Sequence, residues 1–215
     1  MQGTVQTAHA SLMDQTYRHQ RLIYDVTRKY YLFGRDRLIA EMVPRDGDHV
    51  LEVACGTGRN LQLAAQHYPR CQFYGLDISS QMLETARGKL EEKIQLAQAD
   101  ACNFDGEQLF GRPGFDRIFI SYGVSMIPEW EAAIQHAYGQ LAPGGELHIV
   151  DFSDQGGWPK MFQVGLNRWL AKFHVSPRRD LQAVLKQIAQ SNSGSVHHRQ
   201  LYRGYAQYGI VRRPG

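Results

Sequence analysis

The sequence predicts an α/β protein, with a doubly wound, mostly parallel sheet of seven strands behind an N-terminal helical cap. Three observations carry that prediction. Apolar runs of strand length alternate with helix-length segments between residues 49 and 151, the pattern of a parallel sheet with helices on both faces. The first run, Val50-Leu51-Glu52-Val53, passes through Ala54-Cys55 into the turn Gly56-Thr57-Gly58 and then a helical segment. The second run, Phe73-Tyr74-Gly75-Leu76, ends on an acid, Asp77, twenty-one positions after Gly56. A strand, a glycine turn, a helix and an acid at the next strand's tip make a nucleotide pocket. The glycines let backbone approach the ligand, and the acid accepts hydrogen bonds from a ribose.

The elements follow in order. Leu12 to about Phe33 reads as a helix, with no Pro or Gly before Gly34, and Arg35–Val43 as a second helix stopped by Pro44. Strands are expected at 49–54, 72–76, 94–99, 115–121 and 146–151, and helices at 59–68, 79–91 and 129–141. Ser79 is a good N-cap for the helix behind Asp77. Asn103 to Gly114 reads as a loop, and Leu141-Ala142-Pro143-Gly144-Gly145 as the turn before strand five. Trp158–Val175 and Arg178–Gln190 read as helices split by Pro177. Ser195–Arg203 and Tyr205–Arg212, joined at Gly204, read as an antiparallel pair closing the sheet.

A length of 215 residues suits one domain with enough core to fold alone. Charge divides it into three parts. Residues 1–46, the cap, carry a net +2; residues 47–154, the core, carry −8; residues 155–215 carry +9, with one acid against ten basic side chains. A basic quarter on an acidic body points to an anionic membrane surface or to nucleic acid. No apolar run reaches bilayer length and Met1–Ala10 has no apolar core, so no spanning helix or signal peptide is expected. Cys55, Cys71 and Cys102 form no CxxC pair, and the nine histidines are scattered, so a reduced, cytoplasmic chain without metal is expected.

The glycine turn discriminates among nucleotides. A dinucleotide site needs a third glycine where Leu61 stands, and a phosphate-binding loop needs Gly-Lys-Ser/Thr where Gly58-Arg59-Asn60 stands. Glu52-x-x-Cys55-Gly56-Thr57-Gly58 resembles motif I of the class I S-adenosylmethionine (SAM) methyltransferases. Further marks of that family follow in order: Leu76-Asp77-Ile78-Ser79 with Met82, Gln98-Ala99-Asp100-Ala101, Asp116–Tyr122, and Leu141–Gly145. The resemblance implies a Rossmann-like fold and SAM as cofactor, leaving S-adenosylhomocysteine as product.

On that reading Asp77 takes both ribose hydroxyls, since an ionised carboxylate has acceptor sites for two donors. The same residue is also placed to cap its helix. Asp100 accepts from the adenine amino group, with the Ala101 N–H beside the ring, and Ile78 and Met82 pack on its faces. Ala54, Gly56, Thr57 and Gly58 lie against the sugar and tail, Ser121 ends strand four beside them, and Glu52 orders the turn by accepting glycine-loop N–H groups. Ala54 stands where the family more often has glycine, which requires that its φ be negative.

Methyl transfer is an in-line displacement that needs alignment and exclusion of water. An amine acceptor needs only a carboxylate to steady the ammonium and take its proton. Asp151, at the end of strand five, is the first candidate, and Tyr122, at the end of strand four, the second. In the first helix Tyr17, Tyr24 and Tyr31 share a face, and Tyr24 could hold a sulfonium or methylated ammonium by cation–π attraction. The alternative is that these rings pack the helix on the sheet. Arg28 and Arg35 could reach a carboxylate of SAM or of the substrate.

The run Tyr17 to Asp36 (YRHQRLIYDVTRKYYLFGRD) is similar to the N-terminal block of bacterial betaine-lipid N-methyltransferases. Ser125-Met126-Ile127-Pro128-Glu129-Trp130, Leu147–Phe152 and Phe173–Arg178 resemble the same family. That resemblance implies successive methylation of the amine of diacylglyceryl-homoserine to diacylglyceryl-trimethylhomoserine. A lipid acceptor implies an enzyme peripheral to the inner face of the membrane, and Phe162, Leu166, Trp169, Leu170 and Phe173, flanked by Arg168 and Lys172, form a stripe suited to an interfacial helix within 158–180. The same stripe could instead pack on the sheet. The rivals are another acceptor, phosphatidylethanolamine or a quinone precursor, and an RNA-binding protein of this fold using Tyr202, Tyr205 and Tyr208, although no base-methylation motif supports nucleic acid.

Overall fold

The computed structural model describes residues 32–215. Helix α1 (Arg35–Met42) starts behind Gly34 and buries Leu38, Ile39 and Met42. Strand β1 (His49–Val53) and helix α2 (Arg59–His67) flank the glycine turn. Strand β2 (Gln72–Asp77) runs into helix α3 (Ser80–Arg87), whose Ser79 cap accepts from the Met82 N–H at 3.3 Å. Next come β3 (Gln95–Gln98), α4 (Gly106–Phe110), β4 (Phe115–Ser121), α5 (Trp130–Gly139) and β5 (Leu141–Phe152). Helices α6 (Lys160–Ala171) and α7 (Leu181–Ser191) lead to β6 (Ser195–Leu201) and β7 (Ala206–Arg212).

The seven strands form one sheet in the order β3-β2-β1-β4-β5-β7-β6. All pairings are parallel except β5–β7 and β6–β7. Strand order reverses between β1 and β4, and ligands of open parallel sheets bind beyond the carboxyl ends of strands at that point. Side chains alternate between two buried layers: Phe119 packs with Leu38, Leu61 and Phe152 on one face, while Ile118 and Ile120 pack with Ile134, Leu147 and Leu185 on the other.

Several boundaries differ from expectation for local reasons. The expected loop 103–114 contains α4, because the Asp105 carboxylate accepts from the Glu107 and Gln108 N–H groups and starts a helical turn. The helix expected over 79–91 stops at Arg87, before Gly88. The turn expected at 141–145 belongs to β5, where the register slips between Phe115 and Arg117 and the chain's end holds it: the Gly144 N–H donates to Pro214 and the Arg213 N–H to Gly145. Most of the stripe proposed for lipid contact turns inward instead, while Phe162 at its start stays exposed. Leu170 is buried, and Leu166, Trp169 and Phe173 pack against the core cluster on that face. No helix among the described residues is long and apolar enough to cross a membrane.

Candidate active site

The cleft lies beyond the carboxyl ends of β1, β2, β3 and β4. A hollow is lined by Ala54, Gly56, Asp77, Ile78, Met82, Asp100, Ala101, Ser121 and Tyr122, all singled out from sequence. Its wall continues through Gly123, Met126, Ile127, Pro128 and Glu129. A second hollow shares Ala54, Gly56 and Ser121 with the first and extends past Thr57 to Arg35, Arg59 and Lys89. The pair thus forms one trough bent around the glycine turn. Gly56 opens onto it, with φ of 55° and nothing within 4 Å of where a Cβ would stand. Gly58 caps α2 and packs away from the hollow; a Cβ there would meet Leu90 Cδ1 at 2.7 Å.

Asp77 ties the trough together. Its Oδ2 accepts from the Gly56 N–H at 2.8 Å and its Oδ1 from the Ser79 N–H at 2.9 Å. Helix-capping and ligand-binding readings of Asp77 are compatible, since an oxygen of an ionised carboxylate accepts from more than one donor. Asp100 Oδ1 accepts from the Cys102 N–H at 2.9 Å, fixing the far end of the hollow. Between the two acids the walls are apolar. The Ser121 hydroxyl, where the hollows meet, is buried and has no partner among the described residues. An adenosyl group suits this set: a flat apolar slot, an acceptor at each end, and an orphaned hydroxyl at the bend.

Glu52 lies beneath the turn, fully buried, and does not accept from the glycine loop. It accepts from the Asn60 amide at 2.7 Å, with the Leu61 backbone N–H also directed at it, so it anchors the first turn of α2. Burial pushes its pKa up to about 8, the nearby Asp77 charge adding to the effect, so Glu52 is held neutral at pH 7. A carboxyl whose pKa rises on folding stabilises the fold fully below its ordinary value of 4.5 and loses that contribution as pH climbs through about 8. Glu52→Gln should therefore be more stable than the parent by about 2 kcal/mol or more at pH 9, with the gap vanishing near pH 4. Urea unfolding at the two pH values checks this.

Ala54 does not meet the condition set for it. Its φ is +58°, in the left-handed region, and Tyr122, at the end of the neighbouring strand β4, has φ of +57°. Two non-glycine residues held there, each costing of order 1 kcal/mol or more, flank the switch point and form part of the cleft wall. The Ala54 methyl also sits against Gly123, where a Cβ would come within 2.9 Å of it.

The two candidates for proton acceptor stand elsewhere than expected. Asp151 is fully buried behind the wall. Its Oδ2 accepts from the Ser125 N–H at 2.9 Å and its Oδ1 from the Phe152 N–H at 2.7 Å, so it pins the loop after β4. Burial raises its pKa to about 6. The Tyr122 hydroxyl points away from the trough and donates to the Phe33 carbonyl at 2.5 Å, and burial raises its pKa well above the ordinary 10. Neither side chain offers a base to the cleft. Arg35, at the start of α1, is buried beside the second hollow, its Nε donating to the Leu32 carbonyl at 3.2 Å. Tyr24 and Arg28 lie outside the described residues.

Sequence reasoning missed Arg178. Its Nε donates to the Val124 carbonyl at 3.2 Å and its Nη2 to the Ile127 carbonyl at 2.7 Å, with the guanidinium 5.6 Å from the Trp130 ring centroid. With Asp151 it holds the loop 123–129 as a cleft wall. No local pattern signals that role, because Arg178 and Val124 meet only through the fold.

Known proteins resemble this chain in sequence and in fold. Residues 50–145 match the family model described as a methyltransferase domain. The chain is 28% identical over 153 residues to the demethylmenaquinone methyltransferase of Listeria welshimeri, covering 68% of this chain and 63% of that protein. It is 29% identical over 163 residues to the ubiquinone/menaquinone biosynthesis C-methyltransferase UbiE of Syntrophotalea carbinolica, covering 72% and 65%. The chain thus spans just under two thirds of these relatives' length. Phosphoethanolamine N-methyltransferase 2 of Haemonchus contortus, solved with phosphomonomethylethanolamine and S-adenosylhomocysteine, superposes with a TM-score of 0.73 at 15% identity, over 96% of this chain and 60% of that one. At that identity the likeness shows the fold alone. The sheet order and these matches give the Rossmann-like fold seen in class I SAM-dependent methyltransferases.

Proposed function

We propose that this methyltransferase domain uses SAM to alkylate a small, lipid-soluble acceptor, a quinone precursor in the first instance. The observation that carries the cofactor is the trough itself: Asp77 and Asp100 at the ends of an apolar slot, and the orphaned Ser121 hydroxyl at its bend. SAM supplies a methyl group on a positively charged sulfur. Asp77 accepts from the ribose, Asp100 from the adenine amino group, and Ile78, Met82 and Ala101 enclose the ring. Arg35, in the second hollow, meets the carboxylate of the amino-acid tail. The wall 123–129 excludes water and holds the acceptor in line, where orientation contributes most of the rate.

The quinone acceptor rests on the names of the relatives. A second reading, the amine of diacylglyceryl-homoserine, is favoured by the run Tyr17–Asp36 and by one structural fact. Asp151 and Tyr122 are both committed away from the cleft, and an amine of pKa about 8–10 keeps a neutral fraction near pH 7 and needs no strong base. Labelled SAM offered with a demethylated quinone, phosphatidylethanolamine and diacylglyceryl-homoserine decides between them. The expected product carries one methyl on a ring carbon. Up to three methyls on the homoserine nitrogen would install the second reading, and failure to bind S-adenosylhomocysteine would end both.

A further inference from the structure

We propose that an anionic lipid bilayer docks on an aromatic patch beside the cleft, so that the acceptor passes from the membrane into the trough. The inference rests on the reading above, in which the acceptor is lipid-soluble. Six large hydrophobic side chains are exposed among the described residues, and five of them gather here: Phe33, Met161, Phe162, Val164 and Tyr202. The sixth, Val43, follows α1 near the amino end of the central strand β4, where Arg117 reaches the Met42 carbonyl.

Ring contacts make the patch continuous. Phe162 stacks on Trp158 with centroids 4.6 Å apart, and Trp158 Nε1 donates to the Tyr202 carbonyl at 3.0 Å. Tyr202 meets Phe33 at 5.6 Å. Met161 and Val164 extend the surface along α6, exposed to 89% and 65%. The patch abuts the cleft wall, because the Phe33 carbonyl receives the hydroxyl of Tyr122, a wall residue. Met161 and Val164 lie on a different face of α6 from the inward stripe of Trp169 and Leu170, whereas Phe162 begins that stripe and remains exposed.

Charge selects the occupant. Lys160, Arg168 and Arg203 are exposed around the patch, in a quarter of the chain whose net charge is +9. Apolar tips ringed by cations, with Trp and Tyr offering a polar atom beside an apolar ring, match the headgroup boundary of an anionic leaflet.

Sedimentation of the full chain with phosphatidylglycerol-containing vesicles, against pure phosphatidylcholine vesicles, tests the surface. Binding is expected only to the anionic vesicles and should weaken as salt rises. Met161→Glu with Val164→Glu should lower the partition about 10-fold or more, through loss of two buried apolar chains. Lys160→Glu with Arg203→Glu should do the same at low salt, each lost cation being worth about 5-fold. Calorimetric affinity for S-adenosylhomocysteine should be unchanged in both, and if the first variant misfolds the second decides. No binding of the parent to anionic vesicles, or both variants sedimenting like the parent, would overturn the surface. A parent chain that binds vesicles but not S-adenosylhomocysteine would instead sink the methyltransferase reading and leave the surface standing.

Discussion

Asp77→Ala should weaken S-adenosylhomocysteine binding by about 100-fold or more, the largest single effect expected in this protein. Two terms add. A ribose presents two hydroxyls to one carboxylate, and hydrogen bonds to a charged acceptor are worth about 1.5–3 kcal/mol each. The carboxylate also organises the site before any ligand arrives, by accepting from Gly56 and Ser79 at 2.8 and 2.9 Å. Without it, the glycine turn and the start of α3 lose their common anchor, and two backbone donors are left without it at about 1–3 kcal/mol apiece. Thermal stability should therefore fall together with affinity. Asp77→Asn separates the terms: it keeps one carbonyl acceptor and the side-chain volume, so it should lose affinity while recovering part of the stability. Calorimetry giving an unchanged dissociation constant for Asp77→Ala would place the adenosyl group elsewhere.

Asp151→Ala is expected to lower stability by about 2–4 kcal/mol near pH 4, with the gap narrowing as pH rises through about 6, because the buried N–H groups of Ser125 and Phe152 lose their acceptor. Turnover should drop with it, since Ser125 belongs to the loop that forms the cleft wall, whereas cofactor affinity, set mainly by Asp77 and Asp100, should change little. A pH series separates positioning from proton transfer. Burial raises the Asp151 pKa from 3.8 to about 6, so its contribution is fully present below 3.8 and is lost as pH rises through about 6. The variant's unfolding free energy should lack that slope. If Asp151 instead took the acceptor's proton, its removal would erase the acidic limb of the rate profile and leave stability nearly untouched.

Much of this protein was legible along the chain. Glycine turn, strand-tip acids and alternating apolar runs are local signals, because a parallel sheet imposes a repeat of two on its strands and a fixed junction on each strand–helix step. Ala54, Gly56, Asp77, Ile78, Met82, Asp100, Ala101 and Ser121 could be placed at the cleft because each ends a strand or follows a strand end within a few residues. Burial and pairing across the sheet were not legible, because they depend on residues far apart in sequence. Asp151 looked like a base at a strand tip until the loop at Ser125, 26 positions earlier, claimed its carboxylate. Tyr122 looked free until Phe33, 89 positions earlier, accepted its hydroxyl. The apolar stripe of α6 has helical spacing whichever way it faces, and only docking of the helix turned Trp169 and Leu170 inward and left Met161 and Val164 in solvent. The sequence by itself determined the order of strands and helices and the acids of the trough, through short-range chemistry. The tertiary structure alone decided which polar groups remain available to a ligand, since a hydrogen bond already made inside the protein removes a group from chemistry and no one-dimensional pattern records it.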